Sequence, residues 1–229
     1  MAFSLQRFAE VRPYLYQLTA TGNLGRVRSR RCLESAKSLL TAAGQLGLLH
    51  HRRGRHHTIT LDGMTVSLRD QTPLYEGNIE FEAGWTFAQV IALLNQRVFF
   101  WPGTLAGPID YGTRHYERYE AEQPAVIRVR TRSLLRANPG NSPLFCRYNS
   151  GSPRCSGGVR SPRGAATFQT LLTPTDIRLG KVVEVTFVGS ACLPDDAEQR
   201  GESWAEWGPL FPPVVAQDAE PGDAPDPAA

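Results

Sequence analysis

Segments with strand character and segments with helix character follow one another along this chain without a regular β–α–β alternation, and no strand candidate exceeds eight residues. The sharpest local signal is Asp62-Gly63, which separates two short runs of β-branched and apolar residues, 58–61 and 64–68. An Asp-Gly pair readily takes the positive φ values of a two-residue hairpin turn. A hairpin set among short strands and interspersed helices points to an α+β fold with a mainly antiparallel, twisted sheet and peripheral helices, and away from a doubly wound parallel sheet.

Hydrophobic periodicity fills in the other elements. Residues 1–12 read as an amphipathic helix carrying Phe3, Phe8 and Val11, interrupted by Pro13. The strand at 14–19 puts Tyr14, Tyr16 and Leu18 on one face and Leu15, Gln17 and Thr19 on the other. Helices are expected at 24–31 and 34–43. The clearest helix is 86–96, with Thr86 as its cap and Phe87, Val90, Ile91 and Leu94 at i, i+3, i+4 and i+7. A buried strand at 98–101 is expected to stop at Pro102-Gly103. A helix at 110–121, a strand at 125–130 with Ile127 and Val129 inward, a short helix at 133–137 and a buried segment at 144–146 come next. The strand at 181–188 is expected to be the last. Its Val183, Val185 and Phe187 face one way, and Glu184 and Thr186 face the other. That second face is expected to be the solvent side of an edge strand, with a cleft position as the alternative. The expected organisation is one domain over 1–192 and an acidic, Pro-rich, largely disordered tail over 193–229.

Charge is unevenly spread. Residues 1–60 hold ten Lys and Arg against two acids, whereas residues 190–229 hold one Arg against nine acids. A basic front end attracts phosphates, so nucleic acid is a candidate partner through the N-terminal third; cover by the acidic tail is the alternative. The loop His50–His57 is part of that front end, and its Arg52, Arg53 and Arg55 are candidate phosphate contacts. No run of roughly 18 apolar residues is present, so no membrane span is expected. The N-terminus has no secretory pattern, which makes the cytoplasm the expected location. The four cysteines form no C-x-x-C pair and no metal is expected; Cys146 and Cys155 flank a loop that could bring them together, and are expected to be reduced. Rossmann, P-loop, nucleophile-elbow and zincin motifs are absent from the sequence.

Three segments could carry chemistry. The loop 147–164 sets Arg147, Arg154, Arg160 and Arg163 among four glycines, with Asn149, Ser150 and Ser152 as neutral donors and Tyr148 at its start. Such a composition suits a pyrophosphate or a nucleic-acid backbone. The segment 14–27 ends a strand in Gln17 and Thr19 before a Gly22-Asn23 turn into a helix, which places donors at a cleft rim. The segment 98–112 offers Phe100 and Trp101 as a flat wall for a base or nicotinamide, with plain core packing as the alternative.

In this order the segments resemble the DarT-type ADP-ribosyltransferases, which modify nucleic acid using NAD. The Tyr16-Gln17-Leu18-Thr19 strand with Asn23-Leu24 follows that family's Tyr-His-x-Thr strand and Asn-Leu helix entry. Arg69-Asp70-Gln71-Thr72-Pro73-Leu74 is similar to its Arg-containing stretch, and Phe99–Gly103 to its Phe-rich strand. The loop at 147–164 and the strand at 182–188 resemble its closing elements. The phrase PLFCRYNSGSPRCSGG is also similar to bacterial proteins of a domain family without assigned function. The resemblance implies a split sheet of ADP-ribosyltransferase type, NAD as the bound nucleotide, and Arg69, Arg147 and Glu184 as catalytic positions. It further implies contacts to NAD from Tyr16, Gln17, Thr19, Asn23, Phe100, Trp101, Tyr148, Asn149, Ser150, Arg154 and Arg163. Two departures stand out: the family's His is Gln17, and 164–169 holds no acid where the family has its glutamate. A catalytically inactive nucleotide- or nucleic-acid-binding module of the same fold is the alternative.

Overall fold

A computed structural model describes residues 4–170, 179–200 and 206–212. In chain order the elements are α1 (Leu5–Val11), β1 (Tyr14–Thr19), α2 (Leu24–Arg30), β2 (Cys32–Glu34), α3 (Ala36–Ala42), β3 (His57–Leu61), β4 (Met64–Leu68), β5 (Ile79–Phe81), α4 (Phe87–Asn95) and β6 (Arg97–Thr104). They continue with β7 (Gly107–Pro108), α5 (Asp110–Tyr119), β8 (Ala125–Arg130), α6 (Thr131–Ala137), β9 (Leu144–Cys146), β10 (Ser161–Arg163), β11 (Glu184–Val188), β12 (Ser190–Cys192), β13 (Glu198–Arg200) and β14 (Trp207–Pro209).

The main sheet runs β14-β13-β8-β1-β6-β11-β9, with β7 on β6, and all its pairings are antiparallel. The β3–β4 hairpin and the β2–β12 pair are antiparallel two-stranded ladders, and β5–β10 is parallel. The fold is therefore mixed α+β with mostly antiparallel sheets. One face of the main sheet carries Leu15, Val98, Phe100, Ile127, Val129, Val185 and Phe187, which pack on Phe8 of α1, Val27 of α2 and Leu134 of α6. The opposite face carries Tyr16, Trp101 and Val126, covered by Tyr116 of α5. A separate apolar cluster joins the hairpin to α3 through Ile59, Leu61, Val66, Leu68, Leu39 and Leu40.

Local chemistry accounts for the boundaries. Ser4, Ser35 and Thr86 each accept a backbone N–H at a helix start, and Thr86 with Gln89 completes a capping box. Asp62 and Gly63 both take positive φ in the hairpin turn, 51° and 73°.

Two expectations are corrected. Strand β6 runs through Pro102-Gly103 to Thr104. Pro102 sits where its carbonyl accepts from Ile109 N at 3.0 Å, on the side away from β1, so its missing N–H costs the β1 ladder nothing. The strand at 184–188 is not the last either. Beyond residue 192, β13 pairs with β8 and β14 with β13, held by an Arg128–Glu198 ion pair at 2.8 Å, and Leu210 is fully buried. The ordered sheet thus passes the boundary expected at 192; the tail segment 215–229 and the helix start at Phe3 lie outside the described residues.

No helix among the described residues is long and apolar enough to cross a membrane.

Candidate functional site

Pairing between β1 and β6 stops at Tyr16 and Trp101. Past that point the two strands part: Gln17–Thr19 of β1 stay with β8, and Arg97–Phe100 of β6 stay with β11. The sheet is split there. Both lips, Gln17, Leu18 and Thr19 on one side and Arg97, Val98 and Phe99 on the other, line a single cleft of about 360 Å³.

Helix α5 forms an aromatic and basic wall. Tyr111, Arg114, His115, Arg118 and Tyr119 recur at i, i+3, i+4, i+7 and i+8 and face the cleft together. His115 tilts onto Trp101 at 5.7 Å between ring centroids and meets Tyr119 edge-on at 5.2 Å. A Cβ at Gly112 would fall 2.9 Å from Trp101, so the glycine lets α5 close on the indole and fix it. Burial, with Arg69 and Arg118 nearby, pushes the His115 imidazole down to about 4, so the ring is neutral at physiological pH.

The segment leaving β4 forms the next wall. Arg69 lies over the Tyr119 ring at 4.2 Å and reaches Glu122 at 3.3 Å. Asp70 accepts from the Tyr119 hydroxyl at 3.2 Å and stands 3.1 Å from His56 Nδ1, while His56 Nε2 lies 3.0 Å from Glu122. Folding thus brings carboxylates from distant positions, Asp70 and Glu122, to His56 of the basic loop. Among the described residues no group of three His, Cys, Asp or Glu side chains is arranged to hold a metal.

The loop after β9 supplies the last wall through Asn149, Ser150, Gly151, Ser152 and Arg154, with Glu184 behind it. Glu184 opens β11 opposite Cys146 and is 2 % exposed. The solvent-side expectation is therefore overturned: β9 covers the outer edge of β11 and the loop folds over the carboxylate. Its Oε1 accepts the Ser150 N–H at 3.1 Å and the Ser150 hydroxyl also acts on the carboxyl, whereas Oε2 makes no well-formed hydrogen bond among the described residues. Burial pushes the carboxyl up to about 7; Ser150 and Arg163 pull the other way and offset this only in part.

The residues expected at a site separate into two groups. Gln17, Thr19, Asn23, Arg69, Trp101, Asn149, Ser150, Arg154 and Glu184 meet at the cleft. Asn23 also ties the turn to the hairpin, exchanging bonds with the Ser67 backbone at 2.8 and 2.9 Å. Tyr16, Phe100, Tyr148, Arg147 and Arg163 do not line it. Tyr16 is buried on the strand face below the cleft and donates to the Thr104 carbonyl. Phe100 points into the main core edge-on to Phe187. Tyr148 packs in the cluster around α4, under the Arg163 guanidinium. Arg147 is exposed outside the cleft. Arg163 is fully buried and donates to the carbonyls of Ser150, Asn149 and Pro162 and to the Ser161 hydroxyl at 2.8–3.0 Å, so it builds the loop. Of the basic loop, Arg55 is exposed, Arg52 is engaged by the carbonyls of Gln71 and Thr72, and Arg53 is buried against Asn95 and the Arg69 carbonyl.

The structure adds His56, Asp70, Arg97, His115 and Tyr119, which sequence reasoning missed. The α5 set was readable as one polar, aromatic helix face; Arg97 carried no signal, since a single Arg at a strand start is common.

No curated protein and no solved structure matches the chain. A model of a family of unknown function, DUF7002, matches residues 13–191, a span that holds every cleft-lining residue from Gln17 to Glu184. The chain belongs to that family.

Proposed function

We propose that this protein is an NAD-dependent ADP-ribosyltransferase-like enzyme acting on nucleic acid, with its chemistry in the split of the sheet. The observation that carries the reading is Glu184: a carboxylate almost wholly withdrawn from water, held by Ser150 and with an oxygen that makes no well-formed hydrogen bond among the described residues, beside a cleft rich in cations and aromatic edges. A buried carboxylate with a raised pKa and no ion pair among the described residues is costly to keep, and such groups concentrate at functional sites.

The residues present fit the ligand. Gln17 and Thr19 offer polar groups to a ribose or amide, and Trp101 and His115 offer flat surfaces to a nicotinamide. Cleavage breaks the bond between the ribose carbon and the nicotinamide nitrogen, whose electron pair leaves with nicotinamide. The ribose gains oxocarbenium character, and a fixed carboxylate such as Glu184 stabilises that developing charge. A nucleophilic atom of the acceptor then bonds to the carbon and gives up its proton. The exposed Arg114, Arg118 and Arg154 on the cleft margin suit the phosphates of the acceptor.

The test incubates purified protein with NAD carrying a label in its ADP-ribose half, together with DNA, RNA and protein acceptors. Label on nucleic acid and free nicotinamide are expected, and Glu184→Gln lowers the rate about a hundredfold or more. No nicotinamide release and no label on any acceptor overturns the reading. Gln17 favours the second reading, an inactive binding module: it stands where the resemblance has His, and its Nε2 is engaged by the Leu18 carbonyl at 2.9 Å. That reading predicts nucleic-acid binding that weakens between about 50 and 200 mM salt, without NAD turnover.

A further inference from the structure

We infer that Arg97, at the open lip of β6, is the anion anchor of the cleft and holds a phosphate group of the bound nucleotide. The inference deepens the proposed function and rests on it for the identity of the nucleotide, though not for the anion site itself. Of the loop arginines expected to hold phosphate, Arg154 lines the cleft margin while Arg147 and Arg163 do not, and Arg97 supplies the cation inside it.

The first ground is an accounting of guanidinium bonds. Arg97 Nε and Nη1 are shielded from water and have no hydrogen-bond partner among the described residues, and no ion pair there involves this side chain. Other arginines screened by the cleft wall are already committed. Arg26 pairs with Glu34 and Asp62, Arg53 bonds Asn95 and a carbonyl, and Arg69 meets Glu122. Shielded N–H groups without acceptors cost free energy unless something brings an acceptor to them.

The second ground is the neighbourhood. The Arg97 guanidinium lies over the Phe168 ring at 4.2 Å, which fixes its plane and leaves its edge for in-plane acceptors. The Cys146 thiol is not a counter-ion, because burial pushes it well above its ordinary range. Nearby, Gln17 Oε1 has no hydrogen-bond partner among the described residues, and the Ser150 hydroxyl and the Glu184 carboxyl have little beyond each other and the Ser150 N–H. Shielded Arg97 donors and an open Gln17 oxygen bordering one cleft describe a site that a ligand with both acceptors and donors would complete. Phosphate oxygens suit Arg97 and the Ser150 hydroxyl, and ribose hydroxyls suit Gln17 and Glu184.

The test measures binding of inorganic pyrophosphate, ADP-ribose and the phosphate-free nicotinamide riboside by calorimetry, using the full chain and the variants Arg97→Met and Arg97→Lys. Unfolding midpoints are measured alongside. Wild type is expected to bind pyrophosphate and ADP-ribose. Arg97→Met weakens both at least tenfold, leaves nicotinamide riboside unchanged, and keeps or raises the midpoint, since it removes a shielded cation that has no ion pair among the described residues. Arg97→Lys recovers part of the affinity. A wild type that binds neither anion overturns the inference, as does an Arg97→Met that binds both as tightly as wild type. An Arg97→Met that loses stability while Arg97→Lys shows no change in affinity marks a structural arginine and also overturns it. Pyrophosphate bound through Arg97 without nicotinamide release from NAD sustains the anion site and removes the enzyme reading. Nicotinamide release with an unchanged KM for NAD in Arg97→Met does the reverse.

Discussion

Arg163 and Arg97 sit in two regions that bury a guanidinium against an aromatic ring, at 4.3 Å from Tyr148 and 4.2 Å from Phe168. Under the 147–164 loop, the Arg163 guanidinium closes its bonds on the protein itself, on three carbonyls and one hydroxyl. At the split, the shielded nitrogens of Arg97 close on nothing among the described residues. Burial alone therefore does not separate a structural cation from a functional one. The count of satisfied donors does, and it reverses the expectation formed from composition, which favoured the arginine-rich loop.

The comparison breaks most visibly at Arg163. Arg163→Met strands the carbonyls of Ser150 and Asn149, and Ser150 N is the donor that holds Glu184. The expected loss is about 4 kcal/mol in denaturant-induced unfolding. An Arg163→Met protein as stable as Arg97→Met would erase the distinction drawn between the two regions.

Glu184 sharpens the same comparison through pH. Its carboxyl titrates near 7 in the folded protein against 4.5 ordinarily, so the folded state binds the proton more tightly. Its contribution to stability is full below about pH 4.5 and is lost as pH rises through 7. Over that window the loss is roughly 3 kcal/mol. Glu184→Gln is expected to flatten this slope and to be the more stable protein at pH 8, measured by urea midpoints across pH. Because the ionised carboxylate is the form that stabilises positive charge, the proposed function predicts that kcat/KM for NAD rises through an apparent pKa near 7.

His115 supplies the opposite slope. Its imidazole titrates near 4 instead of 6.5, so the stability it contributes is present above pH 6.5 and is lost as pH falls from there toward 4. Because the ring borders the open cleft, the effect is discounted to about 2 kcal/mol. His115→Gln is expected to remove that acid-side loss, and the wild-type ring, followed by NMR, to stay neutral at pH 5.5. A ring that protonates near pH 6.5 would place it in open water and detach it from the aromatic wall.

Much of this fold is legible locally. The hairpin turn, the Thr86 cap and the 14–19 alternation are each written in a few adjacent residues, and each forms where expected. The split is not written anywhere locally. It arises because β6 changes partners midway, from β11 to β1, and partner exchange depends on which distant strands reach the same edge. Glu184 shows the consequence. Alternation correctly set it opposite Val185 and Phe187, whereas Val183, expected on their side, lies ahead of β11 and packs with Tyr16 and Trp101; only the arrival of β9 and the Asn149–Ser150 turn makes the Glu184 side an interior. The missed strands β13 and β14 failed for a related reason: an acidic, Pro-rich composition hid an Arg128–Glu198 pair whose partner lies seventy residues back.

The smallest expected effect tests strand register directly. Cys32 and Cys192 are Cα partners in the β2–β12 ladder and both are free thiols; Cys146 and Cys155, which the sequence suggested could approach each other in reduced form, are free as well. Directly opposed residues hold their Cβ atoms about 4.5–5.5 Å apart, a small closure from the roughly 3.8 Å that a disulfide takes. With oxidised glutathione as the oxidant, the two thiols give up two electrons and two protons and form one bond. Burial and Glu34 raise the Cys32 thiol, so the reaction is expected to quicken as pH rises. Peptide mapping should find Cys32 joined to Cys192, with Cys146, buried beside Glu184, unmodified. Because β2 follows α2 out of the split and Cys32 itself lines the cleft, the same crosslink anchors one cleft wall to the sheet end. A Cys146–Cys155 bond instead would mean that the loop over Glu184 opens readily, and the enclosed carboxylate on which the functional reading stands would then be exposed to water.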